Sequence, residues 1–107
     1  MNRNFSLAIV TLLVIASLLS YIYFWNVDAR RAEIGALCTD LCLNKSRFLL
    51  TGPCLSEEIV PGWTCDVAHN PRQEIDNLPE NQCAAFRNRS VRHFVEVDEN
   101  CKLIRAV

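Results

Sequence analysis

The hydrophobic pattern divides the chain into two unlike parts. Residues 5–25, FSLAIVTLLVIASLLSYIYFW, form a run of 21 without one charged side chain. At 1.5 Å of rise per residue such a helix is about 31 Å long, close to the roughly 30 Å hydrocarbon thickness of a bilayer. A water-facing helix of this length keeps a polar stripe, and this run has none. Tyr21, Tyr23, Phe24 and Trp25 gather at its far end, as amphipathic rings do at the headgroup level. The pattern predicts a single transmembrane helix over 5–25, with residues 1–4 on one side and 26–107 on the other. The lipid bilayer is thus the first expected partner.

A removable signal peptide is the competing reading, with a cut after Ala29 and Val27 two residues before it. Its apolar core would run roughly 7–15 residues and end in small side chains. Here the core is longer and its end is bulky, which favours an uncleaved anchor.

Beyond Trp25 a helical period continues. Val27, Ile34, Leu37 and Leu41, with Cys38 and Cys42 alongside, mark one apolar face. The membrane helix either extends through this stretch or breaks near Asn26, and Asn44 is a suitable stop. Residues 47–51 suggest a short strand ended by Gly52–Pro53. Ser56, followed by Glu57, Glu58 and Ile59, resembles a capped helical turn closed by Pro61–Gly62. Residues 66–77 are polar and rich in turn formers. Pro79 suits a helix start for 78–87, with Cys83 and Phe86 on one face. Last, Val91, His93, Val95 and Val97 alternate with Arg92, Phe94 and Glu96. Asp98, Glu99 and Asn100 then form a turn before Cys101, Leu103 and Val107, which predicts a β-hairpin with a three-residue loop. The expected fold is α+β: one transmembrane helix, then a small disulfide-rich domain with short helices and a C-terminal β-hairpin.

Cysteine usage sets the compartment. Cys38, Cys42, Cys54, Cys65, Cys83 and Cys101 all follow the apolar run. An even number in a short chain behind an export-type segment reads as three disulfides. A domain of about 80 residues has a small core and needs such crosslinks. Oxidation places 26–107 outside, lumenal or periplasmic, with the N-terminus cytoplasmic. Arg3 on one flank and Arg30 and Arg31 on the other do not decide orientation by charge. Spacing leaves the pairing open, with one exclusion. Cys38 and Cys42 lie a helical turn apart on one face, so they are not expected to bond each other. A zinc site from Cys38, Cys42, Cys65 and His69 is the rival, but it leaves two cysteines without a role.

The net charge of −1 excludes nucleic-acid binding by bulk charge. Of the two histidines, His69 follows Asp66 by three residues and His93 lies in a strand pattern. Neither is accompanied by a nucleophile constellation. Arg87, Arg89 and Arg92 form the densest basic cluster, but Glu80, Glu96, Asp98 and Glu99 lie near in sequence. Their cancelling charge points to a solvated face. Asn44-Lys45-Ser46 and Asn88-Arg89-Ser90 match the glycosylation acceptor pattern. Ala16 and Ser20 make a small-residue pair in the apolar run.

No catalytic residue, cofactor site, metal site or small-molecule substrate is indicated. By subtraction, the expected role is that of a membrane-anchored exterior domain. It would act in protein–protein interaction or as an accessory or structural subunit of a membrane or surface assembly, with a protein partner. The alternative is a secreted disulfide-rich effector or inhibitor, released by cleavage near Ala29.

Overall fold

A computed structural model describes residues 2–45 and 51–107. Its elements are α1 (Arg3–Asn44), β1 (Cys54–Val60), β2 (Trp63–Val67), α2 (Ala84–Arg87), β3 (His93–Val97) and β4 (Leu103–Ala106). Two short 3-10 helices, Glu74–Asn77 and Pro79–Asn81, precede α2. The chain divides into two compact units, Met1–Arg30 and Arg31–Val107.

The first unit is helical. From Phe5 to Trp25 its large apolar side chains are all exposed, with Leu12, Phe24 and Trp25 each 60% or more open. An 18-residue window has a mean hydropathy of 2.4, so the helix is long and apolar enough to cross a membrane. Two of its hydroxyls are satisfied locally. Thr11 and Ser17 donate to the carbonyls of Leu7 and Leu13, each at 2.8 Å, which removes the cost of placing them in hydrocarbon. Tyr21 and Trp25 pair at 6.0 Å between ring centroids. α1 is one element, without a break at Asn26.

The second unit is built on a four-stranded sheet in the order β1-β2-β3-β4. β1–β2 and β3–β4 are antiparallel, whereas β2 and β3 run parallel. Strand periodicity sorts the side chains onto two faces. Trp63, Cys65 and Val67 pair in register with His93, Val95 and Val97. The buried members of this face meet Ile34, Cys38 and Cys42 in one core with Leu55 and Cys101. Spacings of four put those three α1 residues in a line along the helix. Gly35 lets that line approach β4, since a Cβ there would stand 3.2 Å from a Leu103 methyl.

Three disulfides close the domain. Cys38 bonds Cys65, Cys42 bonds Cys101 and Cys54 bonds Cys83, with Cα separations of 5.6, 5.5 and 4.9 Å. The first two join α1 to the sheet and its last loop. The third joins β1 to the crossover. With every sulfur bonded, the thiolates that a zinc site requires do not exist in this state.

Several local expectations are corrected. Ser56–Ile59 is not a helical turn but lies in β1. Pairing with β2 through the Pro61–Gly62 turn outweighs the local cap signal, and the Ser56 hydroxyl instead accepts from the Glu58 N–H at 3.3 Å. Residues 78–87 form a 3-10 turn and the four-residue α2, not one helix, because the Cys54–Cys83 bond holds the chain between them. Within 66–77, Val67 belongs to β2 and Glu74–Asn77 is a 3-10 helix. The C-terminal hairpin is present, but its loop spans 98–102. Asp98 Oδ1 accepts from the N–H groups of Asn100 and Lys102 at 2.9 and 2.8 Å, and Cys101 takes φ 63° while bonded to Cys42. The strand expected over 47–51 lies outside the described residues except for Thr51, which is a turn.

Gly52 carries a conformational requirement. Its φ is +71°, and a Cβ would meet Asp76 Oδ1 at 2.8 Å and the Val67 carbonyl at 3.1 Å. Gly62 has φ +85° with open space around it. Gly52→Ala is therefore expected to cost about 2–3 kcal/mol, the left-handed backbone and the clash together, whereas Gly62→Ala costs only about 1 kcal/mol. Urea midpoints of the two variants check the ranking, and equal losses would remove the steric part of the explanation.

Candidate functional site: an arginine-lined cleft

The face of the sheet opposite α1 carries a different chemistry. Thr64 lies beside Phe94, and Asp66, Glu96 and Arg105 form one row across three strands. The parallel pairing of β2 and β3 demands a crossover, and residues 68–92 supply it. They enclose a cleft of about 690 Å³ between themselves and this face.

A buried carboxylate organises the start of the crossover. The Asp76 side chain is 1% exposed and receives the His69 ring Nδ1 at 2.8 Å. It also accepts from the backbone N–H groups of Gln73 at 2.8 Å and His69 at 3.1 Å. Burial acts to raise its pKa, but these hydrogen bonds outweigh it and hold the carboxyl below its ordinary range. The acid at the His69 ring is Asp76, brought in by the 3-10 helix, and not Asp66 three residues before it in sequence. His93 stacks on Trp63 at 4.7 Å and 18° between planes, a packing position. The two histidines do not share a site.

The end of the crossover is held from β1. Glu57 accepts from the Ala84 and Ala85 N–H groups at 3.0 and 2.7 Å, next to the Cys54–Cys83 bond. This trio has the proximity of a metal set, but its two sulfurs are bonded to each other and its carboxylate is occupied by amide donors. α2 then directs Phe86 and Arg87 to the cleft.

Five arginines line the cavity: Arg72, Arg87, Arg89, Arg92 and Arg105. Glu96, with its side chain 10% exposed, takes Arg72 Nη1 at 3.1 Å on one oxygen and Arg105 Nε at 2.8 Å on the other. Each carboxylate oxygen therefore has its own guanidinium, as a buried charge requires. Arg105 also lies 5.1 Å from the centre of the Phe94 ring, and Phe86 meets that ring edge-on at 4.8 Å. Arg87 donates to the Pro79 carbonyl. Among the described residues, the side chains of Arg89 and Arg92 have no hydrogen-bond or ion-pair partner.

Asp66 is the second acid of the cleft. Its Oδ1 is enclosed and has no hydrogen-bond partner among the described residues. Burial first, then the neighbouring Glu96 carboxylate, push its pKa up to about 8; the Val67 N–H and Arg72 oppose this. Near neutral pH Asp66 keeps its proton, and Glu96 is the one acid of the lining that carries charge.

The basic cluster read from sequence is therefore not cancelled by its four acidic neighbours. Glu96 alone among them lines the cleft. Asp98 is occupied by its own loop, and Glu80 and Glu99 lie elsewhere. Arg72, Arg105 and Phe86 were not visible as site residues, because a parallel crossover brings them together from separate elements. One signal was available: Phe94 falls on the otherwise polar side of the strand pattern, which marks that side as covered. Both acceptor asparagines, Asn44 and Asn88, are exposed, although Ser46 of the first pattern lies outside the described residues.

Comparison of the chain with protein-family models, with curated proteins and with solved structures yields no match.

Proposed function

We propose that this chain is a single-pass membrane protein, N-terminus in the cytoplasm, whose oxidised exterior domain binds a protein partner as an accessory subunit and performs no catalysis. The observation that carries this reading is the succession of an all-round apolar helix by a domain whose six cysteines are all bonded. Disulfides persist in oxidising compartments, so the chemistry of sulfur supports the orientation that the flanking arginines leave open. A concave, positively charged cleft with aromatic walls supports a binding role.

Topology is tested with a membrane-impermeant maleimide on intact cells, added after mild reduction, and by protease access to a C-terminal tag. Labelling and cleavage from outside are expected. Cysteines that alkylate without prior reduction in freshly isolated material would refute the compartment. Leu13→Arg is expected to release most of the protein from carbonate-washed membranes, since an arginine at the centre of a span costs about 2.5–3.5 kcal/mol. Unchanged retention would count against insertion.

One observation favours release as a second reading. Buried residues of α1 begin at Ile34, so a cut near Ala29 would leave the folded unit whole. Mass spectrometry separates the two. The 12.2 kDa species means an anchor, and a species starting at Arg30 means secretion.

A further inference from the structure

We propose that the arginine-lined cleft is a recognition site for an acidic segment of polypeptide, one that carries carboxylates beside an apolar side chain. Arg89 and Arg92 would pair with the carboxylates, and the Phe86–Phe94 wall would receive the apolar group. This deepens the partner-binding reading and rests on it.

Three observations support it. The first is unspent charge. Of the five guanidiniums, Arg72 and Arg105 are engaged by Glu96 and Arg87 by a carbonyl, while Arg89 and Arg92 remain available. The planar fork of arginine matches a carboxylate in bidentate geometry. The second is backbone cost. Arg89 takes φ 65°, a region that favours glycine and strains residues that carry a Cβ. The chain thus keeps an arginine where a glycine would relax the fold, and this residue opens onto the cleft. The third is the wall. Phe86 and Phe94 would stay wet under a bare inorganic anion, whereas an apolar side chain covers them. A flat bilayer surface cannot reach the floor of a concave cleft, so shape favours a peptide over a membrane.

Asp66 tunes the site without touching the ligand. The groups that face it are Glu96 from β3, Arg72 and Asp76 from the crossover, and Arg105 from β4 beyond Glu96. Arg87, Arg89 and Arg92 lie across the cleft. While Asp66 holds its proton, Glu96 is the single negative charge among the five arginines. Once it ionises, a second negative charge opposes an incoming carboxylate.

The test uses the full chain in detergent micelles with disulfides intact. The probe is a fluorescein-labelled peptide in which four glutamates alternate with phenylalanine; its counterpart carries glutamines instead. Saturable binding of the glutamate peptide is expected, about tenfold or more tighter than the glutamine peptide, which is about 1.4 kcal/mol. Arg89→Gly is the informative variant. It should melt at the same temperature as the native protein or higher, yet bind at least about fivefold more weakly. Arg92→Gln should weaken binding similarly, and affinity should fall between pH 7 and pH 9. Equal binding of the two peptides, or native affinity in both variants, would overturn the proposal. So would tighter competition by soluble dihexanoyl phosphatidylserine or inorganic phosphate, which would reassign the site to a headgroup or a free anion. Failure of peptide binding in a chain that still passes the topology test would remove this inference and leave the anchored exterior domain intact.

Discussion

Replacing Cys42 and Cys101 together by serine is expected to lower the stability of the 31–107 unit by about 4 kcal/mol. The bond spans 59 residues, and the restriction of the unfolded chain grows with the logarithm of the closed loop. The Cys38–Cys65 and Cys54–Cys83 bonds span 27 and 29 residues, for about 3.5 kcal/mol each on the same relation. Together the three amount to roughly 11 kcal/mol, on the scale of the whole stability of an ordinary domain (about 5–15 kcal/mol). Full reduction is therefore expected to unfold the unit at 25 °C. The α1 bonds carry a second consequence. Cys38 and Cys42 are themselves core residues with Ile34, so their loss also loosens the packing of α1 on the sheet. Urea titrations of the three double-serine variants, followed by tryptophan fluorescence, measure the order. A loss below about 1 kcal/mol for every pair would show that the core suffices without crosslinks.

Raising the pH from 5 to 8 is expected to destabilise the domain. Asp66 has an ordinary pKa of 3.8 and a folded value near 8. Between those values the folded state holds a proton that the unfolded state has lost. Stability then falls as pH rises, by at most about 1.4 kcal/mol per pH unit for one proton. Asp76 acts in the opposite sense. Its folded pKa lies below the ordinary value, so its contribution is present above that value and is lost as pH falls through the folded pKa. The two together place the optimum at or just below the ordinary carboxyl pKa of 3.8, where the rising Asp76 contribution meets the falling Asp66 one. Asp66→Asn keeps the shape and removes the proton. It is expected to flatten the pH 5–8 limb and to exceed the native protein by about 2 kcal/mol or more at pH 8, the scale of an unpaired buried polar group. Chemical denaturation at half-unit pH steps resolves this, and a native limb that is already flat would exclude Asp66 as its source.

Legibility followed the range of the interactions. Residues 5–25 declared a membrane-length helix because hydropathy and length are local quantities. The period of 27–43 was legible for the same reason, and in the structure Ile34, Cys38 and Cys42 turn to the core. The alternation of 93–97 and the polar 98–100 announced the C-terminal hairpin. Local signals failed where a distant partner outweighed them. Ser56 and two acids look like a helix start, yet pairing with β2 makes them a strand. His69 follows Asp66 by three residues, yet the acid that holds its ring is Asp76, seven residues on.

By itself the sequence determined an apolar anchor-like helix, an oxidised cysteine framework and a hairpin at the end. Each follows from composition or from contacts within a few residues. Only the tertiary structure decided which sulfurs bond, that β2 runs parallel to β3, and that the crossover between them encloses a cleft. Those outcomes depend on contacts across 27 to 59 residues, where many chain arrangements compete and no local pattern ranks them. The arginines show the difference most directly: adjacent acids cancel them along the chain, while folding removes most of those acids from the cleft and leaves the positive charge together.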